Sequence, residues 1–191
     1  MNIPYDELSI QILTNEHNLS SFTCGDEDLD DFLINDAFKN QLIRFSVTRV
    51  VFHHNYLVGF FTLTTDCINK EDFIKRDQIQ EISYRKYPAL KIARLATASS
   101  FQRKGVGEIM LGKIFEIAVN ISKYIGCRII TVDSKPGTID FYRKYGFKTA
   151  KNDQNIIRLT YISMYIDYFN AIEISKIDHT LKEYDQNISK K

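Results

Sequence analysis

The stretch "SSFQRKGVGEIMLGKIF", residues 99–115, sets Gly105 and Gly107 behind the basic pair Arg103 and Lys104, at the mouth of a long amphipathic pattern. Ile109, Leu111, Ile114, Ile117, Ala118 and Ile121 supply one apolar helix face, and Gly126 is placed to stop that helix. Glycines at a helix start let the backbone approach a ligand closely. The helix N-terminus adds N–H groups without intrahelical partners and a positive partial charge. The pattern predicts an anion site, and a phosphate before any other anion.

Two phosphate-binding loops do not fit these residues. A Walker loop ends in Gly-Lys followed by Ser or Thr, whereas Lys113 is followed by Ile114. A dinucleotide fingerprint needs a third glycine where Met110 stands, and "SSFQRK" separates the two glycines from the strand pattern ahead of them.

Outward from the loop, strand and helix patterns alternate. "ALKIARLATA" (89–98) reads as the strand leading into the glycines, and "CRIITVDS" (127–134) as a short buried strand after the helix. "TIDFYRKYGF" (138–147) reads as a short helix ending at Gly146, and "IIRLTYISMYIDYF" (156–169) as a last strand region. Upstream, "YDELSIQIL" (5–13) alternates as an opening strand. "GDEDLDDFLINDAFKNQ" (25–41) follows with Leu29, Phe32, Leu33 and Phe38 near helical spacing. "SVTRVVFHHNYLVGFFTLTTDC" (46–67) is a hairpin hinged at His54-Asn55, and the polar residues 69–88 form a weakly helical connection or flap. This order predicts an α/β fold, mixed α+β in detail, with helices packed on a central mixed sheet.

With 191 residues, 44% of them hydrophobic, the chain is long enough for one domain with a sizeable core; the expected span is 1–175, followed by a polar tail at 176–191. A balance of 25 basic against 24 acidic side chains, net +1, gives no global field that recruits nucleic acid or an anionic membrane. Cys24, Cys67 and Cys127 are odd in number and widely spaced, which predicts reduced thiols and a cytoplasmic location. The N-terminus lacks a basic-then-apolar leader, and no apolar run is long enough to cross a bilayer.

The core Gln102-Arg103-Lys104-Gly105-Val106-Gly107 resembles the Q/R-x-x-G-x-G/A signature of the GNAT family of acetyl-CoA-dependent N-acetyltransferases. "DFYRKYGF" (140–147) resembles that family's F-Y-x-x-x-G-F segment. "FTCGDEDLDDFL" (22–33) and "IARLATASSFQRKGVG" (92–107) resemble segments of one GNAT branch, which includes toxins that acetylate aminoacyl-tRNA. The matches span Phe22 to Phe147. Ahead of the F-Y pair, Lys135 and Thr138 replace the usual asparagine and alanine, and Pro136-Gly137 bends the approach to the helix.

The resemblance implies the GNAT acyl-CoA acyltransferase fold, acetyl-CoA as cosubstrate and no metal. It implies that Leu95, Ala96 and Thr97 line the pantetheine arm, and that Gln102, Arg103, Lys104, Gly105, Val106, Gly107 and Glu108 form the phosphate loop. Tyr142 is implied as the acid that protonates the departing CoA thiolate; the alternative is a tyrosine packed beside Phe141 and Phe147 with its hydroxyl in solvent. The expected acceptor is a primary amine. The second expectation is the α-amino group of aminoacyl-tRNA, with an antitoxin as protein partner. A non-catalytic CoA-binding module is the third.

A general base stays unassigned among Asp66, Glu81 and Asp133. His53 and His54 read as a hairpin turn without a third metal ligand at suitable sequence spacing. Cys24 reads as a small buried hydrophobe. Arg85, Lys86, Lys91, Arg94, Arg103, Lys104, Arg143, Lys144 and Lys148 form a local basic set, read first as scattered solvated charge. The aromatic last strand is a candidate contact in a homodimer.

Overall fold

The computed structural model describes residues 2–78, 83–150 and 160–169. Glu81 and the tail at 176–191 lie outside the described residues. The strands are β1 (Leu8–Ile12), β2 (Val47–His53), β3 (Tyr56–Asn69), β4 (Lys86–Thr97), β5 (Ile129–Ser134), β6 (Lys148–Thr149) and β7 (Ile162–Asp167). They form a mixed seven-stranded sheet in the order β1-β2-β3-β4-β5-β7-β6. The helices are α1 (Glu27–Asp31), α2 (Ala37–Leu42), α3 (Val106–Ile121) and α4 (Ile139–Lys144). No helix among the described residues is long and apolar enough to cross a membrane.

Contacts divide the described chain into two compact units, one of residues 2–64 and 92–114, the other of 65–78, 83–91, 115–150 and 160–169. In the first unit β1 pairs antiparallel with β2, Leu8 opposite His53, and β2 continues into β3 as the expected hairpin, with His54 at φ 53° in the turn. The β2–β3 register shifts between Val51 and Phe52, an irregularity of the β-bulge kind. Asp26 caps α1 by accepting the Leu29 N–H at 3.4 Å. Between α1 and α2, the stretch Phe32–Asp36 widens to a π-helix and sets Leu33 fully into a core with Leu13, Phe22, Val50 and Phe60.

In the second unit β5 pairs antiparallel with β7, Ile129 opposite Asp167. The connection that follows β3 is packed. It makes 3-10 turns at Lys70–Asp72 and Lys75–Asp77, and between them Phe73 is fully buried against Tyr87 and Tyr165. The Tyr165 hydroxyl accepts the Ile74 N–H at 3.0 Å and donates to Asp77 at 2.9 Å, while Lys148 pairs with Asp77 at 3.0 Å.

One expectation is corrected, and one strand comes in addition. The helix of the glycine segment ends at Ile121, before Gly126, which is not left-handed; Ser122 Oγ donating back to Val119 O and the Ile125 N–H bonding Ile121 O turn the chain there. The two-residue strand β6 pairs Lys148 with Tyr165 and Thr149 with Met164, too short a pattern to read in sequence. Because of it, β7 is paired on both sides over Met164 and Tyr165, and most of its side chains are buried.

Candidate functional site

In the first unit, α3 begins one residue after Gly105, and the Ile109 N–H donates to the Gly105 carbonyl at 3.1 Å. Gly105 has φ +85° and Arg103 has φ +59°. Two left-handed residues in three turn the chain sharply enough to place the N–H groups of Val106 and Gly107 at the mouth of a 16-residue helix. The Lys104 ammonium lies 5.0 Å from the Phe101 ring centre, and Arg103 is exposed.

The two motifs that the sequence presented separately are joined here. Gln102 Nε2 donates to the Cys24 carbonyl at 2.9 Å and to the Thr97 carbonyl at 3.3 Å, and the Ser99 N–H donates to the Thr23 carbonyl at 2.9 Å. Gly25, at φ +83°, leaves room for Ser99. Asp30 holds the same segment from the helix side, accepting the Cys24 N–H at 2.8 Å and the Thr23 hydroxyl at 2.8 Å. Gln102 thus fixes the loop's entry with its own side chain. Cys24 is buried, and burial, with the carboxylate of Asp30 beside it, pushes its thiol up to about 12, so it behaves as the expected inert small hydrophobe.

One residue that sequence reasoning passed over belongs to this region. A Cβ on Gly59 would lie 3.0 Å from the Ala96 carbonyl oxygen and 3.1 Å from the Met110 sulfur, so β3 holds a glycine where β4 and α3 come close. The only sequence signal was a glycine inside a strand pattern.

In the second unit, Lys135, Pro136 and Thr138 start α4 without the usual residues. Pro136–Thr138 form a 3-10 turn with proline first, and the Thr138 hydroxyl donates to the Lys135 carbonyl at 3.0 Å. Tyr142 on α4 is buried, its ring 5.1 Å from Phe141 and 5.3 Å from Phe147 in edge-on contacts. Burial raises its phenol well above the usual range and keeps it protonated.

Asp66 and Asp133 come together with Lys91, Thr131 and Ser163 around a cavity of about 350 Å³. Much of the basic set is engaged rather than freely solvated: Lys91 pairs with Asp133 at 2.5 Å, Lys148 with Asp77, Arg143 with Asp140 at 3.5 Å, and Arg94 lies 5.0 Å from the Phe32 ring centre. His53 and His54 do acquire a third neighbour. The β1–β2 ladder brings up Glu7, whose Oε2 lies 2.9 Å from His53 Nε2, and the donor atoms of all three fall within 4.8 Å of one another.

A family model described as an acetyltransferase (GNAT) domain matches residues 49–149, more than half of the chain. The tRNA-acetylating toxin of Mycobacterium tuberculosis is 24% identical over 145 residues, 74% of this chain and 84% of that protein. Among solved structures, AtaT complexed with acetyl-methionyl-tRNAfMet aligns with TM-score 0.75 at 20% identity, over 87% of this chain and 98% of that one. A tyrosine-to-phenylalanine mutant of the AtaT toxin, bound to the C-terminus of the antitoxin AtaR and acetyl-CoA, aligns with TM-score 0.66 at 20% identity, over 84% and 93% of the two chains. These structures share the fold described above.

Proposed function

Because the chain belongs to the GNAT acetyltransferase family, being an acetyl-CoA-dependent N-acetyltransferase, we propose that its acceptor is the α-amino group of an aminoacyl-tRNA. The observation that carries the acceptor is the tRNA-acetylating relative, which this chain matches over most of both lengths. A neighbour of the same fold is bound to an acetylated initiator tRNA. An antitoxin-like protein partner goes with this reading, as does a single catalytic domain over 1–175.

The glycine loop takes the pyrophosphate in this reading, with Arg103 and Lys104 as flanking charge, Gln102 as the clamp that shapes the loop, and Gly105, Val106, Gly107 and Glu108 as its turn and helix start. Leu95, Ala96 and Thr97 receive the pantetheine arm. The acceptor nitrogen, as the neutral amine, attacks the thioester carbonyl carbon. A C–N bond forms, the C–S bond breaks with its electron pair on sulfur, and the proton released from nitrogen passes to water, which restores the one that Tyr142 gives to the sulfur. Tyr142 supplies a proton to the departing sulfur. Its raised phenol is a weak acid, so transfer requires a sulfur made more basic by the same dry surroundings; a thiolate buried in apolar contacts has that property.

The test is free-thiol release from acetyl-CoA with charged tRNA, uncharged tRNA, polyamines and amino acid esters as acceptors. Release that depends on charged tRNA supports the proposal. Release with small amines alone supports an undefined primary amine as acceptor, and binding of acetyl-CoA without any release supports a non-catalytic module.

A further inference from the structure

Glu7, His53 and His54, all in the first unit, take no part in the acetyl transfer described above. Glu7 ends a 3-10 turn, Tyr5–Glu7, just ahead of β1, and the register that sets Leu8 opposite His53 carries its carboxylate to the β2–β3 hairpin. Side chains of consecutive strand residues ordinarily point to opposite faces. His53 ends β2, but His54 leaves the strand at φ 53°, and the two rings meet with their centres 4.3 Å apart. Glu7 Oε2 stands 2.9 Å from His53 Nε2, and one donor atom from each of the three residues lies within 4.8 Å of the others.

A tetrahedral zinc ion, with bonds of about 2.0–2.1 Å, holds its ligand atoms about 3.3 Å apart. The spacings here bracket that value: the ion takes the place of the hydrogen between His53 and Glu7, and the exposed side chains of Glu7 and His54 close the remaining gap by turning. The His54 ring makes no hydrogen bond among the described residues, so a nitrogen lone pair is available without breaking one. Two imidazoles and one carboxylate suit zinc and the other late first-row ions. Magnesium and calcium prefer oxygen alone. Three protein ligands leave a fourth position for water.

We infer that these three side chains form a site for one divalent transition ion of the zinc class, held by Glu7 Oε2, His53 Nε2 and a ring nitrogen of His54. Acetyl transfer in this family needs no metal, and the ion here acts as a staple. It ties the segment ahead of β1 to the β2–β3 turn. That segment braces the glycine loop, because the Ile3 N–H donates to the Lys104 carbonyl at 2.9 Å. On the other side of the site the Phe101 ring meets His53 edge-on with centres 6.0 Å apart, and the Lys104 ammonium lies over Phe101. Occupancy therefore steadies the surroundings of the loop without entering the reaction, and the site does not depend on which acceptor the enzyme uses.

The test is calorimetric titration of the full chain, free of any histidine tag, with zinc chloride and separately with magnesium chloride, alongside NMR of the histidine rings. One equivalent of zinc should bind, at least about tenfold more tightly than magnesium, and the His53 and His54 ring signals should shift while those of His17 stay in place. Glu7→Gln and His54→Asn should each weaken zinc at least about tenfold, the least expected when a direct ligand is lost. Both positions are exposed, and asparagine accepts the left-handed turn at 54, so both variants keep the fold. His17→Gln, outside the cluster, should bind zinc within about twofold of the wild type. Zinc affinity unchanged in either ligand variant, magnesium bound as tightly as zinc, ring shifts confined to His17, or no zinc binding at all overturns the inference.

Discussion

The glycine loop of the first unit and the cavity of the second are made of opposite materials. The loop is backbone: two left-handed residues, Arg103 and Gly105, a helix start at Val106, and one side-chain clamp, Gln102, holding carbonyls. The cavity is side chain: Asp66, Lys91, Thr131, Asp133 and Ser163 converge from four strands. A backbone site tolerates changes of side chain but not of φ. A side-chain site tolerates the reverse.

Four experiments break or sharpen that contrast. The largest effect is expected at Tyr142, which belongs to neither construction. Tyr142→Phe should lower kcat at least about tenfold with little change in KM for acetyl-CoA. Because burial lifts the phenol, no falling limb from Tyr142 should appear in the wild-type pH–rate profile below about pH 10, its ordinary value; a limb there that vanishes in the variant would contradict the burial.

Next is Gly59→Ala, where the new Cβ meets the Ala96 carbonyl oxygen at 3.0 Å. Overpacking of this kind costs about 1–3 kcal/mol, or roughly 2–4 °C of Tm per kcal/mol in a chain of this size. Differential scanning calorimetry measures it, and an unchanged Tm means that β3 shifts without cost. Gly137→Ala, with nothing within 4 Å of its Cβ and no left-handed φ, is the comparison that should stay within about 0.5 kcal/mol.

Gly105→Ala carries a smaller strain. Its Cβ meets only the Asn2 side chain at 3.5 Å, so the cost comes from φ +85°, about 1–2 kcal/mol. The loop should relax away from this turn and weaken acetyl-CoA by up to about tenfold in calorimetric titration. An unchanged affinity would mean that the loop keeps its shape without a glycine there.

The smallest effect is chemical. Exposed Cys67 should react with a maleimide at pH 8 at least about tenfold faster than Cys24, whose thiol is buried and pushed up to about 12. Equal rates would show that the segment carrying Cys24 opens away from the loop.

Legibility in the sequence followed the same division. The loop lies within a few consecutive residues, so its glycines, its helix and the order of strands could be read directly. The hairpin turn at His54 and the short helix ending at Gly146, φ +90°, were equally local. What pairing over distance decides was not legible. β6 exists only because Lys148 and Thr149 meet β7, and Glu7 reaches His53 only through the β1–β2 ladder. Residues 69–78 read only as a polar connection or flap because their pattern hides one buried ring, Phe73, and one buried carboxylate, Asp77. Asp66 and Asp133 were legible as candidate carboxylates, but their partners were not: Lys91 and Ser163 beside Asp133 lie on other strands, as does Thr131 beside Asp66.

The central claim is transfer of acetyl to an aminoacyl-tRNA, and its most direct test is mass analysis of aminoacyl-tRNA after incubation with the protein and isotope-labelled acetyl-CoA. The account predicts one labelled acetyl group on the α-nitrogen of the esterified amino acid, absent or greatly reduced with Tyr142→Phe. Label found only on small amines, or none on any charged tRNA while acetyl-CoA is consumed, would contradict it.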